Sequence, residues 1–151
     1  MSATRVDVPD SAVADFAPDY SDCFRAAAVP GRTAGDWARA SLRGADGAFS
    51  RVVWQGILGF DLTSGAPDTF VGWPIKEDTP ERFLVETGGR LMAGRMVFEL
   101  DDEEVRWTTS LRFHGSVGGS IWAVVGAAHR WIAPRALDKG RHALVRATDL
   151  G

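Results

Sequence analysis

The chain has 151 residues, of which 45% are hydrophobic and 25% charged, with a formal net charge of −3 at pH 7. This length fits one domain, and the apolar fraction is too high for a disordered chain. The slight acidity argues against a general nucleic-acid binder, and the single cysteine, Cys23, excludes an internal disulfide. Six Trp and eight Phe against one Tyr indicate either a dense core or the wall of a cavity.

The first part of the chain is the least structured by pattern. Residues 1–18 are rich in Asp, Ala, Ser and Pro, which predicts a poorly ordered N-terminal arm before a single domain over 19–146. No apolar h-region opens the chain and no apolar run nears the ~20 residues of a membrane span. We therefore expect a cytoplasmic protein without stable membrane anchoring.

Three elements are predicted before residue 61. A strand covers 19–29, and Thr33 followed by Asp36 forms a capping box that opens a helix to about Leu42. From Phe49 to Phe60, apolar residues recur at helical spacing and predict a second short helix. A turn and a loop are expected at Gly44–Gly47 and Asp61–Asp68.

The middle of the chain changes to a period of two. Four runs of alternating apolar residues, joined by short polar turns, predict an antiparallel meander with one apolar face. Pro74 cannot donate to a ladder and fits best on an edge strand. The runs lie at Val71–Ile75, Phe83–Thr87, Met92–Leu100 and Val105–Phe113.

The last element is a long helix from Ile121 to about Arg146. Pro134 lies inside it and is expected to bend the axis at a cost of about 3 kcal/mol. Five cations against Asp138 favour a complement to the helix dipole over a phosphate-binding tail. These cations are Arg130, Arg135, Lys139, Arg141 and Arg146.

These elements define an α+β fold in which a long C-terminal helix covers the apolar face of the sheet. An elongated pocket between sheet and helix is one consequence, although residue types alone favour plain core packing. The inward-facing residues are Trp73, Met96, Phe98, Trp107, Leu111, Phe113 and Trp122.

The order of elements and several motifs resemble the START-like helix-grip superfamily (SRPBCC), which includes polyketide cyclases, birch-pollen-allergen-like carriers and lipid-transfer domains. The similarity covers about residues 19–140 and is closest to a bacterial branch of unknown function. The segments that carry it are Asp19–Asp22, Leu58–Phe60, Val71–Ile75, Val105–Thr109, Ile121–Arg130 and Ala133–Leu137.

The resemblance implies a curved antiparallel sheet wrapped around the C-terminal helix, with two short helices after the first strand. It also implies a cavity for a hydrophobic ligand such as a lipid or polyketide, made shallower here by short middle strands. The expected ligand contacts are the inward-facing set together with Thr109, Val125 and His129.

His129 is the strongest candidate for chemistry. It follows Trp122 by seven residues on the same helix face, so its imidazole should reach the apolar space and could orient a ligand carbonyl or move a proton. A structural histidine bonded to the backbone or to Thr109 is the competing interpretation. Thr87 is a further inward polar position that more often pairs across the sheet than binds a ligand.

The outward parity carries four polar residues, for which a solvated face is the default. A bulge that reversed parity would make Arg95 and Glu99 a buried acid–base pair. The four residues are Arg95, Glu99, Arg112 and His114.

No phosphate-binding, metal or nucleophile motif is found in the sequence, so no cofactor and no metal are expected. Three functions stay open: a carrier of a small hydrophobic molecule, a cyclase- or dehydratase-like enzyme with His129 as acid–base, and a non-catalytic interaction domain. A homodimer is also left open.

Overall fold

The computed structural model describes residues 2–43, 52–60 and 68–150. Across these ranges the fold is α+β: seven antiparallel strands form one open sheet, and a long helix ends the chain. The predicted fold class is therefore confirmed at this level. The strands are β1 (Thr4–Val6), β2 (Tyr20–Ala27), β3 (Thr69–Phe70), β4 (Trp73–Thr79), β5 (Arg82–Thr87), β6 (Met92–Leu100) and β7 (Glu104–Phe113).

The strand order is β1-β2-β7-β6-β5-β4-β3. Strands β4 to β7 pair in succession, as the predicted meander requires, and β2 then pairs with β7. Pro74 was expected on an edge strand, but it lies on β4, where it is opposite Thr69 of the two-residue edge strand β3. Parity is as predicted, with Phe98 opposite Trp107 on the face turned to the helices.

Two helices cover that face: α2 (Ala34–Ser41) packs on β4, β5 and β6, while α3 (Ser116–Leu150) packs on β2, β7 and α2. The capping box is confirmed, because Thr33 Oγ1 accepts from Asp36 N and Asp36 Oδ2 accepts from Thr33 N. The helices approach closely at Gly140, where a Cβ would lie 2.9 Å from Ser41 N.

Helix α3 is longer than predicted at both ends. It has 35 residues in total and is not interrupted at Pro134. No helix among the described residues combines the length and apolarity of a membrane span.

The second predicted helix is present only in part. Val52–Ile57 forms a π-helix, closed by the bond from Leu58 N to Val53 O, and Phe60 then bridges to Gly89. The predicted turn at 44–47, the first residues of this helix and the loop over 61–67 lie outside the described residues.

The N-terminal segment contains secondary structure that its composition did not predict. Strand β1 extends the sheet beside β2, and α1 (Asp10–Val13) lies over the face opposite the helices. Ala12 and Phe16 are fully buried, and Ala12 forms a second small core with Leu84 and Val97. The sequence pattern did not predict that this segment packs on the sheet, because its contacts are made with strands more than 60 residues away in the chain.

This cover also changes the outward-facing charges. Arg95 was expected in solvent, yet it is buried because α1 and the turn after it lie across it. Its carboxylate partner is Glu86 rather than Glu99, which contacts Arg82 and Ser11. Arg95 is therefore buried because the N-terminal segment covers the outer face of the sheet, and not because a bulge reverses the strand parity.

Candidate functional site

The predicted ligand-contact set lies where parity placed it, on the helix-facing side of the sheet. Most of these side chains are buried and belong to one core, in which the rings of Phe98 and Trp107 stack at 5.1 Å. Thr109 is also buried, opposite Asp22. Phe113 is partly buried at the end of β7. Their mutual contacts make them core residues, and their role as ligand contacts stays a prediction.

Three tryptophans of this set share a second property. The indole N–H groups of Trp73, Trp107 and Trp122 are buried and have no hydrogen-bond partner among the described residues. Leaving a buried donor without an acceptor costs about 1–3 kcal/mol. Trp107 and Trp122 lie near His129, whereas Trp73 packs against Trp54 and Phe60.

His129 points toward the sheet, as its helical phase predicts, and it meets an acid that the sequence did not assign. Its Nε2 lies 3.1 Å from Oδ2 and 3.3 Å from Oδ1 of Asp22, whose side chain is fully buried on β2. The imidazole itself is 18% exposed. A carboxylate at Nε2 orients the ring and leaves Nδ1 as the nitrogen available to a ligand.

Tyr20 and Arg130 extend this pair. Tyr20 Oη donates to Asp22 Oδ2 at 2.6 Å, and Arg130 donates to Tyr20 Oη at 3.3 Å. Burial first, and then the hydrogen bond to Asp22, raise the pKa of the Tyr20 phenol above its ordinary value of 10.0. The phenol therefore stays protonated and acts as a donor to the buried carboxylate.

Two tryptophans complete the surroundings of the imidazole. The ring of Trp122 lies 5.3 Å from that of His129, and the ring of Trp107 lies 6.3 Å away in an edge-on arrangement. In the part of the chain that the structure describes, neither indole N–H has an acceptor. The imidazole, which can accept or donate protons, is thus flanked by two aromatic rings.

An apolar groove runs beside the first turns of α3 and has a volume of about 570 Å³. Val125, one of the predicted ligand contacts, lies in its wall, and His129 follows one helical turn later, about 6 Å along the axis. The groove is lined by Ile57, Ser116, Val117, Ser120, Ile121, Val124 and Val125.

Sequence reasoning missed Asp22, Tyr20 and Arg130 as site residues. A usable signal was present: Tyr20 and Asp22 share strand parity with the core residue Phe24, so an acid occurs where an apolar residue is expected. No pattern could name its partner, because His129 lies 107 residues away.

The described residues contain no group of three or more His, Cys, Asp or Glu side chains placed to hold a metal ion. No family model, no curated protein and no solved structure matches the chain. The resemblance to the START-like superfamily stays a prediction that rests on the motifs quoted above.

Proposed function

We propose that this chain binds a small hydrophobic ligand, such as a lipid or a polyketide, in the groove beside the first turns of α3, with its polar end directed toward the space between α3 and the sheet. In this proposal the sheet grips α3 as in the START-like superfamily. The apolar part of the ligand lies along the groove, and its polar end reaches His129. The observation that carries the proposal is a buried Asp22 that orients a partly exposed imidazole beside the rings of Trp107 and Trp122.

The chemistry of the site selects the ligand class. Indole N–H groups only donate, so the ligand needs an acceptor such as a carbonyl oxygen near Trp107 and Trp122. The groove wall is formed mainly by Ile and Val side chains, which suit an aliphatic chain or a fused ring.

Native mass spectrometry of the purified chain, after incubation with a bacterial lipid extract, tests this function. We expect a bound adduct that is lost in Ser120→Trp, because Ser120 is an exposed residue of the groove wall and the larger ring fills the groove. Ala127→Trp is the matched control, since Ala127 is exposed on the same helix outside the groove lining. A bare polypeptide mass for the unmodified chain, or equal adducts in both variants, contradicts the proposal.

An acid–base enzyme of the cyclase or dehydratase type is the second candidate, favoured by the contact between His129 Nε2 and Asp22. With Nε2–H donated to the carboxylate, Nδ1 can take a proton from the carbon next to a ligand carbonyl. The electron pair left on this α-carbon forms a C=C bond to the β-carbon as the bond between the β-carbon and its hydroxyl oxygen breaks. The imidazolium returns the proton to the departing hydroxyl group, which leaves as water.

The mass of the bound ligand separates the two candidates. A carrier releases the ligand unchanged, whereas a dehydratase releases it lighter by one water. In the second case, His129→Gln is expected to retain the ligand but to leave its mass unchanged. The test substrate is a β-hydroxy carbonyl compound. If the unmodified chain releases it with unchanged mass, the enzyme proposal is contradicted and the carrier proposal is not affected.

A further inference from the structure

The outer face of α3 carries an unusual concentration of exposed apolar side chains. Every large hydrophobic residue that is exposed among the described residues lies on this helix or against it. No Asp, Glu, Lys or Arg occurs between Ser116 and His129. The exposed residues are Val117 at 58%, Val124 at 76%, Trp131 at 60% and Ile132 at 51%, together with Ile57 at 41%.

The second half of the same face is basic. Arg135, Lys139 and Arg146 are exposed, and none has an acidic partner within 4 Å in the described ranges. The guanidinium of Arg135 lies 3.8 Å from the ring centre of Trp131, which joins the apolar and basic halves. The acidic residues of this half of α3 are Asp138 and Asp149, against the four cations Arg135, Lys139, Arg141 and Arg146.

The helix dipole does not explain the cations. Since α3 extends to Leu150, Arg135 and Lys139 lie about four and three turns before its end. The dipole effect falls off within the last turn, so the expected complement to the macrodipole does not apply to these two residues.

We propose that this face of α3 binds reversibly to the surface of an anionic phospholipid bilayer. Trp131, Ile132 and Val124 would enter the interface between headgroups and acyl chains, where an indole is favoured because one edge is polar. Arg135, Lys139 and Arg146 would contact the headgroup phosphates, each cation raising the partition coefficient about fivefold. The surface extends beyond the ligand site, because Trp131 and Ile132 are absent from the groove lining, whereas Val124 belongs to both.

A bilayer fits this surface better than a second copy of the chain. In a parallel pairing of two α3 helices the basic halves would face one another, and in a full antiparallel pairing each basic half would face an apolar half. Both arrangements leave cations opposite like charges or apolar side chains. A membrane surface accepts the apolar and the basic halves together.

Co-sedimentation of the full chain with vesicles tests the proposal, using phosphatidylcholine alone and phosphatidylcholine mixed with phosphatidylglycerol. We expect binding to the mixed vesicles, reduced by added salt. Arg135→Glu with Lys139→Glu is expected to lower the partition coefficient more than tenfold. Arg5→Glu with Lys76→Glu, at exposed positions on β1 and β4, makes the same change in charge and should retain binding.

Tryptophan fluorescence reports insertion, because Trp131 is the one exposed indole. We expect the emission to shift to the blue when mixed vesicles are added. The Trp131→Phe variant should not show this shift. Ile132→Ser removes an exposed side chain and is expected to weaken binding without altering the circular dichroism of the fold. Absent binding, or equal loss in both charge-reversal pairs, overturns the proposal. A dimer that Ile132→Ser dissociates, without vesicle binding, also overturns it and assigns the face to self-association.

Discussion

Among the described residues, each face of the sheet buries one charged side chain, and the two differ in how completely they are hydrogen-bonded. On the outer face, Arg95 donates to Glu86 Oε2 at 3.1 Å, to Ala14 O at 2.7 Å and to Ala12 O at 3.4 Å. Its guanidinium also lies over the ring of Phe16. On the helix-facing side, Asp22 contacts a phenol and an imidazole, and the imidazole keeps one nitrogen free for a ligand.

The difference separates a structural charge from a candidate functional one. The donors of Arg95 are directed to fixed acceptors, so the residue fastens the N-terminal segment to the sheet. The network of Asp22 ends at a side chain that reaches solvent, beside indole donors that have no acceptor within the described ranges. Buried polar groups with unused hydrogen-bonding capacity are common at sites of ligand binding and proton transfer.

The largest expected effect is on the outer face. Arg95→Ala should lower the free energy of unfolding by about 3 kcal/mol, because it leaves Glu86 and two backbone carbonyls without their buried donor. Urea denaturation followed by circular dichroism measures this loss. Arg90→Ala, in an exposed turn, is the control and should change stability by less than about 0.5 kcal/mol. Equal effects of the two substitutions would remove the structural role assigned to Arg95.

A smaller effect on stability is expected at Asp22. Asp22→Asn should change the free energy of unfolding by about 1 kcal/mol or less, since an amide of the same shape can accept from Tyr20 and donate to His129. The same variant is expected to weaken ligand retention, because the imidazole then donates from Nδ1. Denaturation and native mass spectrometry provide the two readouts. If Asp22→Asn lowers the free energy of unfolding as much as Arg95→Ala does, both charged side chains have a structural role and the distinction between them is wrong.

The smallest expected effect is a shift in titration. Tyr20 is the one tyrosine of the chain, so phenolate absorbance reports on it alone. In the folded protein its pKa should exceed 10, and Asp22→Asn should lower this pKa because the acceptor that favours the protonated phenol loses its charge.

The sign of the linked stability follows from the direction of the shift. Because the folded-state pKa of Tyr20 is the higher one, its contribution is complete below the unfolded value near 10 and is lost as pH rises through the raised pKa. Titration in urea supplies the unfolded reference. An unchanged Tyr20 pKa in Asp22→Asn would show that the two side chains are not coupled in solution.

Much of the fold was predictable because its signals are local. Strict alternation between Val105 and Phe113 predicts which side chains of β7 face the helices, and Thr33 with Asp36 predicts where α2 begins. For the candidate site, helical phase placed His129 toward the sheet. The partner of His129 was not predictable, because pairing across 107 residues depends on how β2 joins β7.

By itself, the sequence determined the α+β class, the apolar face of the sheet, the long final helix and the inward direction of His129. Each of these follows from a repeat of two or 3.6 residues, which sets side-chain direction within a single element. Only the tertiary structure decided that the N-terminal segment covers Arg95, that Asp22 meets His129 and that the aromatic set packs on itself. These outcomes arise between elements far apart in the chain, where burial selects partners that no local repeat encodes.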